Sequence, residues 1–244
     1  MNKTIIRVFI TIEAFLYIIF VCLDITDKVP DTVAVLKYAS ILICVLFSIL
    51  SVINIDKNVG LTGTALICAA LIFTAISDRF LLFGDVFLPG LICFCIVQMI
   101  HLVIITGISI KRILTAVLLR IIASAIGTVI LAGIIPDEKV LIAIVMFYGF
   151  SFFGNILHLA AGLAVSKNEV HCLASRPYLY LCGMILFLLC DINVLLYNLG
   201  KFIDIGSSFK KVANVASILI WIFYLPSQVM IVLSGRNSQE SQGF

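Results

Sequence analysis

Residues 61–85 read LTGTALICAALIFTAISDRFLLFGD, an apolar run that carries Asp78, Arg79 and Asp85 towards its end. A bilayer's hydrocarbon core needs about 20 apolar helical residues to cross it. A carboxylate inside such a run is costly enough to require a partner or a purpose. Both features recur along the chain. Apolar runs cover approximately 4–23, 32–54, 61–85, 88–108, 113–135, 140–165, 178–199 and 212–234. Between them lie polar clusters such as Asp24 to Asp31, Asp56-Lys57-Asn58, Lys111-Arg112, Pro136 to Lys139, Ser166 to Pro177 and Gly200 to Lys211, and Pro89-Gly90 marks the break after the third run. Hydrocarbon offers no water to free backbone groups, so these runs must be helices, and the alternation of barrel strands is absent. The expected fold class is all-α: a polytopic integral membrane bundle of about eight transmembrane helices, one transmembrane domain over residues 1–244 with no soluble domain.

Composition agrees. Mean hydropathy is +1.24, with 63% hydrophobic and 12% charged residues, whereas soluble domains are roughly half apolar. The net charge of +3 is scattered, so nothing calls for nucleic acid as a partner. Seven of the eight cysteines lie in or beside apolar runs and only Cys172 lies in a clear loop, which favours small buried hydrophobes over a disulfide or metal framework. The first run resembles a signal peptide, but Glu13 sits within it and no small-residue cleavage site follows Cys22, so it is read as the first span. With the amino terminus inside, Lys3, Arg7, Lys57, Lys111, Arg112, Lys167, Arg176 and Arg236 are cytoplasmic against Lys28, Lys37, Lys139, Lys201, Lys210 and Lys211 outside. The balance of charge favours both termini in the cytoplasm of a multi-pass cell-membrane protein.

Polar residues inside the spans share faces. Thr74, Asp78 and Asp85 form one stripe of the third span, Gln98 and His101 align in the fourth, and Arg120, Ser124 and Gly127 in the fifth. Tyr148, Ser151, Asn155 and His158 line the sixth; Asp191 aligns with Asn198 in the seventh, and Asn214, Ser217, Trp221, Tyr224 and Gln228 in the eighth. Single hydroxyls and amides commonly serve as interhelical glue. Asp85 and Asp191 differ, because a carboxylate deep in a span must be paired, protonated or facing water. Arg120 offers itself as the counter-charge of one of them, while Arg79 and Glu13 read as residues that snorkel.

Phe83-Gly84-Asp85-Val86-Phe87-Leu88, followed by Gly90, Phe94, Gln98 and His101, resembles the Gly-Asp-hydrophobic-Leu … Gly … Phe … His signature of YhhN-like membrane proteins, which include lysoplasmalogenases. Gly183-Met184-Ile185-Leu186-Phe187-Leu188-Leu189-Cys190-Asp191 is similar to that family's Gly-x-x-Leu-Phe-x-x-Ser-Asp segment, with Cys190 in place of Ser. The connection after Asp85 is shorter than the family's usual one. The resemblance implies hydrolysis of the vinyl-ether bond of a membrane lipid, a lysoplasmalogen, to a fatty aldehyde and glycerophospho-choline or -ethanolamine.

That cleavage needs one neutral carboxylic acid to protonate the vinyl carbon and one carboxylate to stabilise the oxocarbenium ion and orient water, the division of labour used by glycosidases. A low-dielectric cavity and a neighbouring like charge can hold two carboxyls in those two states. Asp85 and Asp191 are the catalytic candidates. Asp78, His101, Arg120, Tyr148, Asn155, His158 and Tyr224 are candidates for binding or support, and Arg79, Arg120 or Arg176 for the headgroup phosphate, with Trp221 or Tyr224 facing a choline ammonium. No metal or redox cofactor is required. The rivals are a transporter or a lipid-binding or sensory protein using the same carboxylates, although the sequence shows no internal repeat of the kind transporters carry. A phosphate-cradling Gly-rich loop, a Gly-x-Ser-x-Gly elbow and a His-Glu-x-x-His helix are all lacking.

Overall fold

In the computed structural model the described residues are 3–26, 30–54, 61–84, 86–133, 139–165, 171–199 and 209–236. Asp85 and the topology-marking Lys28, Lys57, Lys167 and Lys201 lie outside them. Among the described residues the chain forms α1 (Lys3–Thr26), α2 (Pro30–Ile53), α3 (Leu61–Phe83), α4 (Phe87–Thr106), α5 (Ile110–Ala132), α6 (Lys139–Val165), α7 (Pro177–Leu199) and α8 (Phe209–Ser234). All eight are long and apolar enough to cross a membrane, so the molecule is a polytopic helical bundle. Pro89 and Gly90 do not mark the break itself: the chain leaves the helix at Gly84 and Val86, and Pro89 falls in the first turn of α4, where its missing N–H deprives no partner.

Helix neighbours define a ring. Helices α2, α3, α4, α6, α7 and α8 contact one another in that order, and α8 closes back on α2. Two helices lie outside it: α1 packs on α2 and α8, and α5 packs on α6 and, more lightly, on α4. The neighbours of α1–α4 thus recur for α5–α8 with an offset of four helices; the contact between α3 and α8 is the exception. The sequence shows no internal repeat, yet the packing has one, because interhelical contact in lipid is carried by interchangeable apolar and small residues.

Small residues and displaced hydrogen bonds close the ring. A Cβ on Gly183 would stand 2.9 Å from Ile231 Cγ1 and 3.1 Å from the Ser227 carbonyl oxygen, so α7 and α8 approach as closely as glycine allows. Between α3 and α4, the Ser77 hydroxyl donates to the Gly90 carbonyl at 2.7 Å. Pro226 lies inside α8. Having no N–H, it leaves the Ile222 carbonyl one turn earlier without its helical donor, and the Tyr17 hydroxyl of α1 donates to that oxygen at 3.2 Å.

Candidate active site

Asp78 on α3 and Asp191 on α7 occupy corresponding helices of the two four-helix halves, each preceded by a small residue, Ser77 or Cys190. Asp78 is buried and Asp191 half-buried. Asp78 is 5% exposed, and its Oδ2 accepts a 2.7 Å hydrogen bond from the Tyr224 hydroxyl of α8. Asp191 Oδ2 accepts one of 2.5 Å from the Tyr148 hydroxyl of α6. Phe187 joins the two: it packs on Tyr224 and also on Phe94 and Phe152, both of which pack on Tyr148. Two acids, each held by a phenol from a neighbouring helix, therefore share one enclosure.

Its walls are aromatic. Phe187 packs against Phe94, Phe152 and Tyr224 with ring centroids 5.8, 5.0 and 5.6 Å apart, and Trp221 meets Tyr224 edge-on at 5.1 Å. Such walls offer π faces to a cation. Trp221 is not free to receive a choline group on that account alone: the Lys37 ammonium lies 5.0 Å from its ring centre. Lys37 is in turn held by both carboxylate oxygens of Asp24 at 2.9 Å.

A second polar group lies along α6. Arg120 Nη2 donates to Asn155 Oδ1 at 2.7 Å, and Asn155 Nδ2 donates at 3.0 Å to both the backbone oxygen and Oε1 of Gln98. Arg120 therefore binds an amide where the sequence led us to expect an ion pair with an aspartate. No carboxylate among the described residues lies within ion-pairing distance of it.

The other expected residues are dispersed. His101 is buried but contacts the Tyr180 hydroxyl at 2.5 Å rather than either acid. Tyr180, absent from the sequence-derived candidates, is one of the most deeply buried side chains; an aromatic near the start of an apolar span gave no signal of that pairing. His158 is exposed, so the α6 stripe turns outward after Asn155. Asn198 bonds its own helix at the Val194 carbonyl, and Asn214 is exposed. Arg79 is exposed over the Phe83 ring. Glu13 does not snorkel: it is 3% exposed, and the Cys44 thiol donates to its Oε1 at 3.5 Å. All eight cysteines are free.

The YhhN family model matches residues 32–235. The chain belongs to the YhhN family. The match takes in every helix of the ring and α5, and begins after α1. No curated protein and no solved structure matches the chain. Within this YhhN protein, Asp78 is a carboxyl of α3 that the structure describes, and Asp85 lies outside the described residues.

Proposed function

We propose that this YhhN protein is a lysoplasmalogenase-like hydrolase that cleaves the vinyl-ether bond of a single-chain lipid, with Asp78 and Asp191 as its acid and base. One observation carries the reading: two phenol-supported carboxyls share an aromatic enclosure in the membrane. The protonated carboxyl of the pair delivers its proton to the vinyl carbon distal to the ether oxygen. The resulting oxocarbenium ion is stabilised by the ionised partner and the π faces around it. Water adds to the cationic carbon and yields its proton to the carboxylate. The hemiacetal then collapses, its hydroxyl proton passing to the glycerol oxygen, to give a fatty aldehyde and the glycerophospho-alcohol. Tyr148 and Tyr224 orient the two carboxyls.

The test is aldehyde release from a lysoplasmenyl lipid by purified protein, with the saturated alkyl-ether lipid as control. Asp78→Asn, Asp85→Asn and Asp191→Asn are assayed alongside. The reading expects losses of at least about a thousandfold for Asp78 and Asp191 in folded protein, the scale on which carboxyl acid/base pairs act. Loss at Asp85 with Asp78 near normal transfers the acid role to Asp85. No release from folded wild type removes the hydrolase reading.

The four-helix repeat favours a second reading, since parallel repeats of this kind occur in transporters. Proton flux into liposomes that depends on Asp191, without aldehyde release, would establish it. In either case both termini are placed on the cytoplasmic side of the cell membrane, from the charge balance of the connections.

A further inference from the structure

Arg120 is 6% exposed, on the helix that otherwise faces lipid most. One of its terminal nitrogens donates to Asn155; the other, Nη1, has no partner. Two more buried polar atoms on adjoining helices lack partners: Gln98 Nε2 on α4 and Ser151 Oγ on α6. Gln98 and Ser151 are wholly buried. Ser151 lies on the α6 stripe between Tyr148 and Asn155, and Asn155 donates to the Gln98 side chain. A guanidinium cannot shed its charge, and no carboxylate among the described residues pairs with Arg120. Three idle donors and an unneutralised cation in the membrane interior are the recognition chemistry of an anion.

The guanidinium lies along α6, where a Cβ on Gly154 would stand in ordinary contact, 3.4 Å from Arg120 Nε and 3.6 Å from Nη2. Phe153 and Leu157 beside it are exposed to lipid, and α5 is only lightly joined to α4, which leaves a lateral approach.

We propose that Arg120, with Gln98 Nε2 and Ser151 Oγ, binds the phosphate of a single-chain glycerophospholipid. The assignment rests on the proposed function for its register. Tyr148, which holds Asp191, and Asn155, which holds Arg120, lie seven residues apart on one stripe of α6, so the ether carbon and the phosphate fall along one helix.

Binding to the full-length protein in detergent is measured by calorimetry with an uncleavable alkyl-ether lysophosphoethanolamine and with the alkylglycerol of the same chain. Wild type should bind the phosphate-bearing lipid at least about tenfold more tightly, the scale of a charge-assisted hydrogen bond. Arg120→Gln should abolish the difference while leaving alkylglycerol affinity unchanged, and Arg120→Lys should restore part of it. Equal affinities in wild type, or a difference surviving in Arg120→Gln, overturns the proposal. If Arg120→Gln fails to fold, Ser151→Ala takes its place: it must narrow the difference about threefold, and an unchanged difference overturns the proposal. Inorganic phosphate alone is the further arm; Arg120-dependent binding as tight as the lipid's would assign the site to free phosphate and overturn the lipid assignment. Neither lipid is cleaved, so a phosphate-dependent difference without aldehyde release would sustain this site while removing the hydrolase.

Discussion

Helices α1 and α5 hold equivalent places outside the ring, and each drives one ionisable side chain into it: Glu13 from α1 and Arg120 from α5. Each is the eleventh residue of its helix, counted from Lys3 and from Ile110. Each finds one neutral partner on the adjoining ring helix, the Cys44 thiol or the Asn155 amide, and each keeps one polar atom unpaired. The difference is chemical. A carboxyl has a neutral form in which it can remain buried, and a guanidinium has none. The same geometry is therefore self-sufficient at Glu13 and incomplete at Arg120. The chain does neutralise charge elsewhere, at Lys37 and Asp24, which sets Arg120 apart.

Between these two helices, the largest expected effect comes from supplying the missing charge. Asn155→Asp places a carboxylate where Nη2 already donates, and the Gln98 amide can rotate to donate to it through the nitrogen that is idle now. Turnover on a phosphate-bearing lipid should fall at least about tenfold while the thermal midpoint holds or rises, because a buried ion pair has replaced a charge–amide contact. Parallel kinetics and melting curves check this, and a lowered midpoint with normal turnover would erase the contrast between α1 and α5. A smaller effect follows at the other helix. Glu13→Gln keeps shape and hydrogen-bonding capacity, so turnover should stay within about twofold and stability change by about 1 kcal/mol; a tenfold loss of turnover would make α1 part of the chemistry. Smallest is Tyr17→Phe, which deprives the Ile222 carbonyl of its donor. It should cost about 1 kcal/mol, read as a lower melting midpoint with kcat/KM unchanged.

The helices were legible because crossing a bilayer imposes length and hydropathy directly on sequence. The sequence put Asp191 on a polar stripe, and the structure adds its Tyr148 partner. Asp85 lies outside the described residues, and what draws attention to Asp78 is the Tyr224 hydroxyl, 146 positions away, which the sequence could not pair with it. The repeat could not be read at all, because matching neighbours do not require matching side chains when every surface is apolar. Arg120 shows the remaining gap. The sequence supplies the cation, and a counter-ion was the natural expectation, but what fails to pair with a residue is visible only in three dimensions.

The Tyr17 contact has a consequence for biosynthesis. Helix α1 is made before α8, yet it donates the hydrogen bond that Pro226 leaves open in α8, and the phenol that holds Asp78 also belongs to α8. Until α8 has been made, Asp78 lies without Tyr224, and the ring has a gap that α8 fills. A chain stalled before α8 is thus an open vessel.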